Sequence, residues 1–190
     1  IVYTIDGKTL VEYPAGNART QYTVLNGTEI IFEDAFYGSH CINYVYLPNS
    51  LQEIQREAFY DVENLYTISI PDNVMQISNY AFALCWNLSN VYLGENSKLP
   101  RISYAAFANS GINSIRIPAG VSTIAQSAFE GCRNLTSVTF AQNSKLPSIS
   151  AYMFKGADNL QTITFENGSA LTSIQAHGLE GMKNLTSVDF

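Results

Sequence analysis

Two histidines, three cysteines and sixteen carboxylates are the side chains with which this 190-residue sequence could run acid–base, nucleophilic or metal chemistry. They do not assemble into a reactive group. His40 and His177 are the only histidines, and no Ser-His-Asp or Cys-His arrangement can be built around either. Glu33 and Asp34 are adjacent and read as solvated acids, not as the facing carboxyl pair of a glycoside hydrolase. No glycine-rich phosphate loop is present. The residues therefore predict a chain without enzymatic activity, metal or cofactor. Recognition is the better lead. Tyr44, Tyr46 and Tyr92 stand where equivalent segments hold Ser, Thr or Asn, and tyrosine offers a large amphipathic contact at low entropic cost.

A repeat would position those tyrosines. Aligned on one aromatic anchor, the sequence returns at Phe36, Phe59, Phe82, Phe107, Phe129 and Phe154, with Leu179 in the seventh slot, in steps of 22 to 25 residues. Five residues before each anchor stands an isoleucine, from Ile31 to Ile174. Three residues earlier comes a second apolar position, such as Leu51 or Val74, with Thr28 as the exception. Five or six residues after the anchor a Leu or Ile follows, from Ile42 to Leu185. Such a period, sustained along most of a chain, signals a solenoid. One coil cannot bury its own apolar side, whereas stacked coils share a core.

Each repeat closes on a period-2 segment such as "SVTF" or "TISI", the pattern of a short strand with one buried face. The inward pairs run from Tyr22/Val24 and Val45/Leu47 to Val188/Phe190, giving eight parallel rungs. At about 4.8 Å per rung the sheet is about 34 Å long. The residues between the inward pairs form an outward column, Thr23, Tyr46, Ser69, Tyr92, Arg116, Thr139, Thr164 and Asp189. A second column runs beside it from Gln21 and Tyr44 to Ser187. The predicted ligand-binding set on this face is Tyr44, Tyr46, Ser69, Tyr92 and Arg116. Trp86, in a turn, reads as a lid over the coil edge, with a loop anchor as the alternative. In this frame His40 and His177 lie about 29 Å apart and cannot share a metal. Cys85 and Cys132, two coils and about 10 Å apart, are beyond disulfide reach and read as small buried hydrophobes.

Pro48, Pro71 and Pro118 follow strands, where a missing N–H turns the chain. The Ala-Phe segment reads as one turn of α- or 3₁₀-helix with the ring filling the interior. Three longer coils carry "GENSKLP", "AQNSKLP" and "ENGSALT", which read as surface turns. Residues 1–20 break the pattern: Asp6-Gly7 between two alternating runs signals a tight hairpin, expected to cap the array. Residues 21–190 form that array of about seven coils, and its end within a repeat reads as truncation. The N-x-S/T triplets at Asn87, Asn134 and Asn184 read as wording of the repeat, not as glycan acceptors.

Composition narrows the classes. Apolar residues make up 46% and charged residues 14%, too apolar for disorder. No apolar run spans a membrane. The net charge is −6, and no basic cluster offers a phosphate-backbone footprint, which argues against nucleic acid.

The columns carried by Leu65, Ile68, Ile70, Pro71, Val74, Ile77, Ala81 and Phe82, and again by Ile112, Ile115, Ile117, Pro118, Val121, Ile124, Ala128 and Phe129, resemble the BspA-like leucine-rich repeats, also called Treponema pallidum-type. The opening "IDGKTLVEYPAG" is similar to the hairpin that often precedes such arrays. The resemblance implies an α/β repeat solenoid. Its elements would be a right-handed leucine-rich-repeat superhelix, one parallel sheet of about eight short strands, short helical, 3₁₀ or irregular segments opposite, and an N-terminal β-hairpin cap. It also implies a secreted or cell-surface protein of a host-associated bacterium, active in adhesion. The expected partner is a protein or cell-surface ligand bound by a monomer through the strand face. Alternatives are a carbohydrate-binding module, since aromatic platforms stack on sugars, or a spacer carrying another domain.

Overall fold

Apolar residues recurring at one phase force successive coils into register, and the computed structural model of the protein, which describes residues 1–189, shows that stack. Phe190, expected as the last inward residue, lies outside the described residues. Eight parallel strands form one sheet: Gln21–Thr23, Tyr44–Tyr46, Thr67–Ile70, Asn90–Leu93, Ser114–Ile117, Ser137–Phe140, Thr162–Phe165 and Ser187–Asp189. Their order in the sheet follows their order in the chain, so each rung lies beside the previous coil. The inward residues from Ile68 and Ile70 to Ile163 and Phe165 are buried, apart from the half-buried Leu93.

The expectation of a single sheet is corrected by a second parallel ladder. The isoleucine before each anchor sits in a two-residue strand, from Ile30–Ile31 through Glu53–Ile54, Gln76–Ile77 and Arg101–Ile102 to Thr123–Ile124. Ser148–Ile149 and Ser173–Ile174 form a separate pair. Two residues are too few to show a period of two, yet stacked isoleucines with aligned backbones suffice to form the ladder. The hairpin joins this sheet: Val2–Tyr3 pairs antiparallel with Thr9–Glu12, which pairs parallel with Ile30–Ile31.

The anchors form an unbroken aromatic column. Tyr13, delivered by the hairpin, stacks on Phe36 at 5.0 Å between ring centroids. Phe36, Phe59, Phe82, Phe107, Phe129 and Phe154 follow, with centroids 4.6 to 5.8 Å apart and interplanar angles of 3° to 17°. All are fully buried. Phe140 and Phe165 stack separately at 4.4 Å.

The expected helical turn at each anchor is also corrected: among the described residues no helix forms. The backbone explains why. N–H groups at alternate positions close four-residue turns, as in Ala35→Phe32, Tyr37→Asp34 and Ser39→Phe36. The intervening N–H groups donate to the next coil, as in Asp34→Arg56, Phe36→Ala58 and Gly38→Tyr60. No two successive turns can then form, as a helix requires. The alternation is produced by left-handed residues two before and two after every anchor. Asp34, Glu57, Tyr80, Ala105, Ser127, Tyr152 and His177 occupy the first slot at φ of 50° to 61°. The second slot holds Gly38, Gly131, Gly156 and Gly181, and also Asp61, Leu84 and Asn109. A non-glycine residue there is strained, and the inter-coil hydrogen bonds hold it in place.

Candidate functional site

The outward columns of the eight-stranded sheet lie in register. Thr23 pairs with Tyr46, Ser69 with Tyr92, and Arg116 with Thr139 and onward to Thr164 and Asp189. Alternation that buries Val45, Ile68 and Val91 necessarily turns Tyr46, Ser69 and Tyr92 outward. Tyr46 is 52% exposed and Tyr92 60%. They stand two rungs apart, about 10 Å, over the small side chain of Ser69. The result is an open cleft of about 280 Å³, also lined by Tyr44, Thr67, Asn49 and Pro71, and no charged side chain lines it. Tyr44 makes an edge contact with Tyr66 at 6.4 Å, extending the aromatic surface to the start of the strands.

Four of the five predicted site residues therefore meet at one cleft. The fifth, Arg116, faces the same way but is engaged elsewhere. Its Nε donates to Glu95 Oε1 at 2.7 Å, and its two terminal nitrogens donate to the Glu166 carboxylate at 2.5 and 3.0 Å. Glu166 also accepts the Gln142 N–H at 2.9 Å. The Arg116 hydrogen bond, then that N–H, holds the Glu166 carboxyl below its ordinary value. In return the Glu166 and Glu95 hydrogen bonds lift the Arg116 guanidinium above its own. Arg116 is thus a brace across two rungs, linking residues 50 positions apart.

The other reactive side chains stay dispersed. Cys85 and Cys132 are buried free thiols, each within hydrogen-bond distance of a backbone carbonyl, Phe59 O at 3.0 Å and Phe107 O at 3.1 Å. Burial pushes their pKa up to about 12 and about 11. Cys41 is exposed. His40 lies 3.6 Å from Asp61 and 3.4 Å from Glu63, while His177 stacks on Tyr152 and contacts Glu180 at 2.5 Å. Among the described residues no group of three or more His, Cys, Asp or Glu side chains is placed to hold a metal. Among the described residues no helix is long and apolar enough to cross a membrane.

Sequence reasoning missed an amide ladder on the flank. The recurring Asn of "NL" donates its Nδ2 to the coil before it: Asn64 to His40 O at 2.7 Å, Asn159 to Arg133 O at 2.7 Å and Asn184 to Asp158 O at 2.8 Å. Its recurrence at one slot was the available signal. Trp86, expected as a lid, is 46% exposed beside this ladder.

A parallel solenoid with apolar columns running through every coil and short parallel strands at each turn defines a leucine-rich-repeat protein, a class of generally non-catalytic scaffolds. More narrowly, the BspA type leucine rich repeat region matches in six copies over residues 17–136 and 100–190, and the chain belongs to that family. The fold is similar to that of a leucine-rich-repeat protein of T. pallidum, with a TM-score of 0.81 at 22% identity, covering 97% of this chain and 86% of that one. A leucine-rich-repeat protein of Bacteroides ovatus aligns at a TM-score of 0.69 and 24% identity over 87% of this chain. One from Eubacterium ventriosum aligns at 0.60 and 20% over 98%. The chain spans 47% and 45% of the length of those two proteins. No curated protein matches it.

Proposed function

We propose that this chain is a non-catalytic interaction module of a surface or secreted bacterial protein, and that as a monomer it binds a protein partner through its strand face. Residues 1–20 act as the cap that shields the first coil, and the array beyond them is the binding platform. The observation that carries the reading is the uncharged cleft between Tyr46 and Tyr92. Two exposed rings about 10 Å apart leave room for one flat or branched apolar side chain of a partner. The platform is rigid before binding, which lowers the ordering penalty of association. Arg116, held by Glu166, borders the cleft as a rim charge. The test is Tyr46→Ala with Tyr92→Ala, assayed by surface plasmon resonance on immobilised host-matrix proteins and partner-cell envelopes. Two such interface tyrosines are worth a loss of at least tenfold in affinity, with the melting temperature unchanged. Equal binding by the parent and the double variant refutes the assignment.

A further inference from the structure

The stack has one notch. Between anchor and following leucine, the coils of Phe82 and Phe129 run six positions, to Leu88 and Leu135, whereas the coil of Phe107 runs five, to Ile112. The missing residue falls in the amide ladder. The slot four after the anchor holds Trp86 in one coil, Gly111 in the next and Arg133 in the one after. Gly111 is forced: a Cβ there would lie 2.1 Å from the Trp86 carbonyl oxygen. The side chains of Trp86 and Arg133 thus flank a bare backbone floor, two rungs or about 10 Å apart.

The notch is a hollow of about 190 Å³ bounded by Trp86, Ser110, Gly111, Gly131, Arg133 and Asn134. It opens onto a ledge of about 500 Å³ that reaches Tyr66, Asn87 and Asn113. The ladder fails here. Asn87 donates back to Asn64 Oδ1 at 3.2 Å, but the carboxamides of Asn113 and Asn134 have no hydrogen-bond partner among the described residues. Both residues are exposed. Arg133 is exposed and has no carboxylate within ion-pair distance among the described residues, although Asp158 stands one coil on. In a chain of net charge −6 this is an available cation beside an exposed indole.

We propose that this notch binds a carboxylated sugar. The indole face of Trp86 stacks on the apolar face of a pyranose ring. The guanidinium of Arg133 takes its carboxylate in a charge-assisted, two-point contact. The free amides of Asn113 and Asn134, each both donor and acceptor, meet its hydroxyl groups. The notch shares no residue with the strand-face cleft, although the ledge beyond it reaches Tyr44, and it does not rest on the function assigned to that cleft.

Trp86 is the only tryptophan in the chain, so its fluorescence reports the site directly. Methyl glucuronide, N-acetylneuraminic acid and the neutral methyl glucoside are titrated to about 20 mM, the range of weak single-sugar sites. The acidic sugars give a saturable change in emission, with dissociation constants about tenfold below that of the neutral glycoside. Arg133→Gln removes that preference, and Asn134→Ala weakens all three sugars, with circular dichroism unchanged. Tyr46→Ala with Tyr92→Ala titrates like the parent. An unresponsive Trp86, an equal response to acidic and neutral sugars, or full affinity in Arg133→Gln overturns the proposal.

Discussion

Phe107→Ala is the sharpest test of the stacked core. Phe107 is fully buried, with Phe82 at 5.3 Å on one side and Phe129 at 5.6 Å on the other, both nearly parallel to it. Removing the ring loses about 2 kcal/mol of transfer free energy. It also leaves a void of roughly 100 Å³, which at about 24 cal/mol per Å³ adds about 2.4 kcal/mol if the coils do not close. Partial collapse brings the expected loss to about 4 kcal/mol, a large fraction of the 5–15 kcal/mol typical of a domain. Urea unfolding, followed by circular dichroism and by Trp86 emission, should show a lower midpoint at unchanged slope. Phe154→Ala serves as the internal comparison. Its outer neighbour is Leu179, only half-buried, so one ring pair is lost instead of two and the destabilisation is smaller by about 1 kcal/mol. A loss below about 2 kcal/mol for Phe107→Ala, at constant slope, would refute the claim that this column carries the core.

Tyr13 offers the opposite sign. Its hydroxyl is buried without a hydrogen-bond partner among the described residues, so Tyr13→Phe keeps the ring stack and stabilises by about 1 kcal/mol in the same assay; a destabilised variant would show that the hydroxyl is satisfied. The Arg116 brace predicts an acid effect. Glu166 titrates in the folded state below its ordinary 4.5, so the stability it contributes is present above that value and lost as pH falls through the lowered one. Parent and Glu166→Gln melting curves should therefore differ at neutral pH and converge in acid, whereas a pH-independent difference would contradict the pairing.

The columns were legible because apolar burial repeats residue by residue: Phe59, Ile54 and Leu65 each recur at their slots and are all fully buried. The outward faces of Tyr46 and Tyr92 followed from alternation alone. The conformation at the anchors was not legible. The left-handed slot before each ring is filled by Asp34, Tyr80, Ala105 or Ser127, residue types that carry no common signal, because inter-coil hydrogen bonds impose the geometry from outside. The second sheet hid in strands as short as Glu53–Ile54. Arg116 and Glu166, far apart in sequence, meet only once the coils are stacked, so the engagement of the predicted binding arginine could not be seen beforehand. The notch at Gly111 was visible as one shortened step, but its meaning depended on Trp86 and Arg133 falling on either side.

The hydrogen bonds joining the anchors have an electrical consequence. The run from Tyr13 to Ala35, Phe36 to Ala58, Phe59 to Ala81, Phe82 to Ala106, Phe107 to Ala128 and Phe129 to Met153 threads one peptide unit per coil, every carbonyl toward the amino end. In a β-sheet such moments alternate and largely cancel. Here they add as in an α-helix, to about 25 D for the seven units of about 3.5 D each that these bonds join. Two parallel threads, through Asp34 and through Gly38, reinforce the first. The solenoid therefore has a negative pole at its amino end and a positive pole at the other, although no helix generates them, and the Tyr13 amide from the hairpin extends the thread at the negative end.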